Sequence, residues 1–145
     1  MKIAFACDHG GFPFRDDILN HLNKSGHTIV DLWPQEFIAL DDFPDYAWRV
    51  STSVLSQKTD VGVLVCGTGI GMSIAANRHE WIRAVLAYST EIAKISRSHN
   101  DTNVICFGAR TMDIKMVLES IDVFLSESFL GGKYWKRNQL LDCQC

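Results

Sequence analysis

The chain has 145 residues, 47% of them hydrophobic and 21% charged, a composition that suits one compact domain and leaves no room for a second. A net charge of −3 gives no general attraction to nucleic acid, and no run approaches the roughly 20 apolar residues that span a bilayer. Five cysteines are an odd number in a chain with ample core, so reduced thiols are expected rather than a disulfide framework.

The first apolar run, Lys2 to Cys7, reads as a buried strand. Asp8 and His9 end it too early for a signal peptide, which points to a cytoplasmic protein. Phe12 to Ser25 follows as a helix, with Phe14, Ile18 and Leu22 at i, i+4 and i+8 and Gly26 as its stop. His27 to Leu32 is a second strand, and a loop holding Trp33 and Pro34 comes after it. Asp41 or Asp42 can cap a helix from about Phe43 to Gln57, with Pro44 in its first turn.

Val61 to Cys66 is continuously apolar or small, as the centre of a parallel sheet requires, and a helix from Thr68 to Asn77 follows directly. Arg83 to Tyr88 is the fourth strand, Thr90 to His99 a helix capped by Thr90, and Asn103 to Gly108 the fifth strand. Met112 to Ser126 places Ile114, Val117, Ile121 and Phe124 on one helical face, and Gly131-Gly132 sets off a short basic segment, residues 133–145. Cys7 and Cys106 read as core, Cys143 and Cys145 as a flexible end.

Strand and helix alternating five times predicts an α/β, doubly wound fold: a five-stranded parallel sheet with helices on both faces, forming a single domain over residues 1–145. Ligands of such sheets bind beyond the carboxyl ends of the strands. Asp8-His9-Gly10-Gly11, Cys66-Gly67-Thr68-Gly69-Ile70-Gly71 and Gly108-Ala109-Arg110 follow the first, third and fifth strands, and His99-Asn100-Asp101 precedes the fifth. The glycine-rich turn opens a helix, so its amides make a nest for an anion, either a phosphate or a developing enolate. It carries no Gly-Lys-Ser/Thr, and Met72 stands where a dinucleotide fingerprint needs glycine, which disfavours a nucleotide cofactor.

Those four motifs, extended to Met72-Ser73-Ile74-Ala75-Ala76-Asn77 and to Ser96-Arg97-Ser98-His99-Asn100-Asp101-Thr102-Asn103-Val104, together with the basic tail resemble ribose-5-phosphate isomerase type B from residue 2 to about residue 137. The resemblance implies a Rossmann-like homodimer or a higher oligomer. It implies interconversion of ribose 5-phosphate and ribulose 5-phosphate without metal or cofactor, and active sites completed by the partner subunit. It further implies Cys66 as the base, Thr68 and the amides of Gly69, Ile70 and Gly71 as donors to an enediolate beside Gly67, and Asp8 with His99 as the ring-opening pair. Asn100 would hold sugar hydroxyls. His9 would meet the phosphate with Arg137 and Lys133 from the partner, Arg110 being a further candidate.

Met72 places the chain with the cysteine-type members of that family. Phe43 stands where many relatives show tyrosine, and Lys133 replaces an expected arginine, keeping charge without the bidentate fork. Two other functions compete: isomerisation of a six-carbon sugar phosphate such as allose 6-phosphate, and a non-enzymatic nucleotide- or flavin-binding module.

Overall fold

The computed structural model describes residues 1–33 and 36–142. In chain order the elements are β1 (Lys2–Cys7), a 3₁₀ turn (Phe12–Phe14), α1 (Arg15–Lys24), β2 (Thr28–Asp31), α2 (Phe43–Leu55), β3 (Val61–Cys66), α3 (Ile70–Ala76), β4 (Ala84–Leu86), α4 (Thr90–Asn100), β5 (Val104–Gly108), α5 (Ile114–Ser126) and α6 (Lys133–Asp142). Pro34, Cys143 and Cys145 lie outside the described residues.

β1, β3 and β5 form the centre, and every residue of β3 and β5 is buried, which is why they read as unbroken apolar runs. The helices bury one stripe each: Ile18 and Leu22 on α1, and Val117, Ile121 and Phe124 on α5. Caps set their starts. Ser89, not Thr90, accepts from the Ile92 amide at the head of α4, and Asp113 accepts from Lys115 at the head of α5.

All five strands are parallel, in the order β2-β1-β3-β5-β4. Right-handed crossovers then put α1, α4 and α5 on one face and α2 and α3 on the other, in agreement with the packing of α4 on α5 and of α2 on α3. The loop after β3 leaves towards one face while its neighbours, after β1 and β5, leave towards the other. A crevice opens between them at the carboxyl edge.

The basic C-terminal segment, expected as an appendage, is the helix α6. Its helical periodicity is weak, and packing against α4 supplies the order. Asn138 is buried there with its amide 3.4 Å from the His99 carbonyl, and Arg83 donates to both oxygens of Asp142 at 3.2 Å.

Candidate active site

The turn after β1 lies directly on the turn after β3. A Cβ on Gly11 would stand 2.3 Å from the Val65 carbonyl oxygen, and one on Gly10 would stand 2.9 Å from the Gly67 nitrogen. Only glycine permits backbone to approach backbone this closely. The contact tucks Asp8 into the protein, 6% exposed, where Oδ1 accepts from the Gly11 amide at 2.9 Å. Burial raises the Asp8 carboxyl above its ordinary range, opposed by that hydrogen bond and by His9.

Cys66 ends β3, and the chain turns at Gly69 with φ of 78° so that the Gly69 N–H donates to the Cys66 sulfur at 3.1 Å. The Ile70 N–H faces Thr68 Oγ1 at 3.4 Å. The loop after β5 braces this turn: Ala109 donates to the Cys66 carbonyl and Arg110 to the Gly67 carbonyl, both at 2.9 Å. The Arg110 side chain lies across Gly67, its Cδ, Nε and Cζ each 3.3 Å from where a Cβ would be.

Three thiols are free among the described residues, and burial distinguishes them. Cys7 and Cys106 are sealed in the core, where burial pushes both well above the ordinary thiol range. Cys66 alone lines a cleft, of about 230 Å³, with Asp8, His9, Gly10, Phe43, Gly67, Thr68, Gly71 and Arg110. Seven residues expected at the site therefore meet there: Asp8, His9, Cys66, Gly67, Thr68, Gly71 and Arg110. Gly69 supports the cleft from behind through Sγ. Ile70 faces away, into an apolar groove with Leu86 and Tyr88, and Met72 is fully buried in the core.

His99, Asn100, Lys133 and Arg137 do not join that cleft within one chain. His99 and Asn100 precede β5 in sequence, but α4 runs antiparallel to the strands, so its last turn reaches the amino edge of the sheet. The five residues of β5 separate the two edges by about 13 Å. There His99 stacks on Tyr134 with ring centroids 4.1 Å apart, and Lys133 Nζ sits 5.1 Å above the same Tyr134 ring. Arg137 is exposed one turn further along α6, and Asn100 borders a separate cavity of about 550 Å³ with Trp81, Arg83 and Leu141. Asp8 and His99 of one chain thus face opposite edges.

Two residues, one lining the cleft and one directly behind it, were misassigned or undervalued from sequence. Asp41, read as a possible helix cap, does not cap α2; its Oδ1 lies 2.8 Å from both the backbone nitrogen and Nδ1 of His9. Asp42 occupies the capping position without a side-chain bond. The signal available was the pair of adjacent acids, since a helix start uses one. Phe43 forms a wall of the cleft, its ring 2.8 Å from the position of a Gly71 Cβ. Asp8, His9 and Asp41 also bring three possible metal-ligating atoms within 4.8 Å of one another, but His9 Nδ1 and Asp41 Oδ1 already bond each other.

A doubly wound α/β protein with a thiol, a buried carboxyl, an imidazole and a guanidinium around one amide-rich turn is a small-molecule site built for proton transfer beside an anion. The family model described as Ribose/Galactose Isomerase matches residues 3–141, and the chain belongs to that family. It is 41% identical over 138 residues to ribose-5-phosphate isomerase B of Escherichia coli, covering 94% of this chain and 91% of that one. A ribose 5-phosphate isomerase from Thermotoga maritima superposes with a TM-score of 0.93 at 39% identity, covering 97% of each chain. The Mycoplasma genitalium ribose-5-phosphate isomerase B with bound ribulose 5-phosphate superposes at 0.92, with 34% identity over 97% of this chain and 94% of that one. Among the described residues no helix is long and apolar enough to cross a membrane.

Proposed function

We propose that the chain interconverts D-ribose 5-phosphate and D-ribulose 5-phosphate through an enediolate, with Cys66 as the base and no metal or cofactor. The observation that carries this is the Gly69 N–H directed into the Cys66 sulfur at the floor of a cleft that also holds a buried carboxyl. Aldose–ketose conversion requires one base to carry a proton between C2 and C1 on one face of the substrate. The thiolate is that base. The Gly69 amide holds charge on sulfur as the proton leaves.

Thr68 and the amides of Ile70 and Gly71 face the oxygen that becomes anionic, with the start of α3 behind them, while the Gly69 amide stays on the Cys66 sulfur. Asp8, whose carboxyl is raised by burial, retains a proton further into the working range than an exposed aspartate does, as ring opening requires of an acid. His9 and Arg110 meet the phosphate. The groups at the opposite edge, His99, Asn100, Lys133 and Arg137, reach this cleft from a second copy of the chain. That reading makes the enzyme an obligate homodimer acting in the cytoplasm, in the pentose phosphate part of carbohydrate metabolism.

The test is incubation of purified, chelator-treated protein with ribose 5-phosphate in deuterium oxide. The expected result is ribulose 5-phosphate carrying solvent deuterium at C1, with Cys66→Ala slower by at least about 100-fold. Absence of turnover with ribose 5-phosphate, together with turnover of allose 6-phosphate, would move the assignment to the six-carbon substrate. Retained nucleotide or flavin without isomerisation would move it to a binding module.

A further inference from the structure

Asp41 reaches His9 from behind the cleft, on the loop between β2 and α2 and 32 residues after His9, and places a single oxygen against two nitrogens of that residue. Oδ1 is 2.8 Å from the His9 backbone nitrogen and 2.8 Å from Nδ1. The backbone nitrogen can only donate, so Oδ1 is an acceptor. Burial would raise the Asp41 carboxyl, but the nearby Tyr46 hydroxyl and the two His9 nitrogens outweigh it and hold the group below its ordinary range. The side chain is 5% exposed and ionised, and an ionised carboxylate has no proton to give.

We propose that Asp41 is the positioning residue for His9: it fixes the imidazole with a proton on Nδ1 and leaves Nε2 as the nitrogen offered to the substrate phosphate. The inference rests on the assignment of His9 to the phosphate. Among the described residues Nε2 has no protein partner, and the ring lines the cleft with 28% of its side chain exposed. The charged and titratable groups around it are Asp8 on its own turn, Asp41 with Tyr46 behind it, Cys66 at the end of β3, and Arg110 from the loop after β5. Arg110 is the only permanent cation among them. A ring held by Nδ1 meets the phosphate as an Nε2–H donor once it gains a second proton, and Asp41 balances that charge. A ring free to turn would instead divide its contacts between the anion and its own backbone.

The experiment has two readouts on Asp41→Ala, Asp41→Asn and His9→Gln. Nitrogen-15 NMR of the histidine rings, taken where they are neutral, reads the tautomer: wild type carries the proton on Nδ1, and Asp41→Ala shifts His9 towards the Nε2–H form that free imidazole side chains favour. Competitive inhibition by inorganic phosphate reads the function. Asp41→Ala weakens it roughly tenfold and raises KM for ribose 5-phosphate in step, while kcat changes by less than about threefold. Asp41→Asn keeps the acceptor without the charge, so it retains the Nδ1–H form and loses less phosphate affinity. An unchanged tautomer in Asp41→Ala, or unchanged phosphate inhibition in both Asp41 variants, overturns the proposal. Unchanged phosphate inhibition in His9→Gln overturns the phosphate assignment itself, and the ring spectrum of the wild-type chain then still decides whether Asp41 holds His9.

Discussion

Gly69 and Gly26 form a matched pair, with φ of 78° and 77°, that tests how tightly the catalytic turn is pressed onto the sheet. Alanine at either position meets the left-handed penalty, about 1 kcal/mol, and at either position regains a similar amount by restricting the unfolded chain. Those contributions cancel in the comparison. What differs is the surroundings. A Cβ on Gly26 has nothing within 4 Å, whereas one on Gly69 falls 2.5 Å from Leu86 Cδ1, 2.8 Å from the Phe107 carbonyl carbon and 3.0 Å from its oxygen. Leu86 can rotate away, but Phe107 is backbone near the end of β5, paired with Val65 of β3, so the turn itself has to lift.

Relieving overlap of that size costs about 1–3 kcal/mol beyond the backbone penalty. For a chain of this length the difference corresponds to a melting temperature roughly 3–10 °C lower for Gly69→Ala than for Gly26→Ala. Thermal denaturation followed by circular dichroism measures it, with urea unfolding as a second estimate of the same gap. Lifting the turn also draws the Gly69 amide away from the Cys66 sulfur, so Gly69→Ala loses kcat whereas Gly26→Ala keeps wild-type activity. If the two variants melt within about 2 °C of each other, the close approach to β5 does not exist in solution, and the geometric account of the thiol's donor falls with it.

Replacing Cys66 with serine keeps the shape but leaves a far weaker acid at the floor of the cleft, so activity falls by about 100-fold or more while phosphate inhibition stays near wild type; single-turnover kinetics and inhibition constants separate the two. Asp8→Asn keeps the acceptor for the Gly11 amide and removes a carboxyl that burial disfavours in its charged form. Because the folded-state pKa lies above the unfolded one, wild type is penalised at pH values above both, so the variant gains stability at pH 7, and the gain vanishes as pH falls below the unfolded carboxylate range. Chemical denaturation at pH 7 and pH 4 tests the sign, and an assay at pH 7 tests the loss of ring opening. Mixing inactive Cys66→Ala with inactive His99→Ala under conditions that exchange subunits restores about a quarter of wild-type activity. Half of the dimers are then mixed, and each mixed dimer holds one intact site and one doubly impaired one. No recovery would place Cys66 and His99 of a single chain at the same site, against the separation of the two sheet edges.

The class of fold was legible because each central strand is buried on both faces, and a strand buried so completely leaves an unbroken apolar run in the sequence. The order of the strands was not, since nothing local in β4 or β5 records that β5 inserts between β3 and β4. The glycine turn announced an anion site through composition alone, and the structure adds that Gly10, Gly11 and Gly69 are there for close packing as much as for ligand approach. Proximity in sequence misled at His99. Standing directly before a strand that delivers Gly108 and Arg110 to the cleft, it sits at the opposite end of that strand, because a crossover helix returns the chain to the amino edge. Asp41 was hidden by its neighbour: two adjacent acids at a helix start look redundant, and only the fold shows that one of them belongs to His9.

The separation of the two edges carries the mechanistic argument further. Within one chain the thiol, the donor amides and the buried carboxyl are fixed to each other by backbone contacts that leave no space for a methyl group at Gly11 or Gly69. The groups at the amino edge are held differently, by a ring stack between α4 and α6 and by the Arg83–Asp142 pair at the end of α6. On the proposed reading the first set performs the transfer between C2 and C1, and the second closes over phosphate and ring oxygen from another subunit, with His99 assisting ring opening there. Proton transfer demands sub-ångström constancy, which a tightly packed sheet edge provides, whereas holding a phosphate tolerates the looser placement of long cationic side chains on a terminal helix. Loosening α6 by Asp142→Ala, which removes the carboxylate from Arg83, should therefore raise KM for ribose 5-phosphate several-fold, on the order of 1 kcal/mol for a partly buried ion pair, with kcat nearly unchanged. A loss confined to kcat in that variant would mean that α6 orders the thiol and its turn, and the division of labour between the two edges would be wrong.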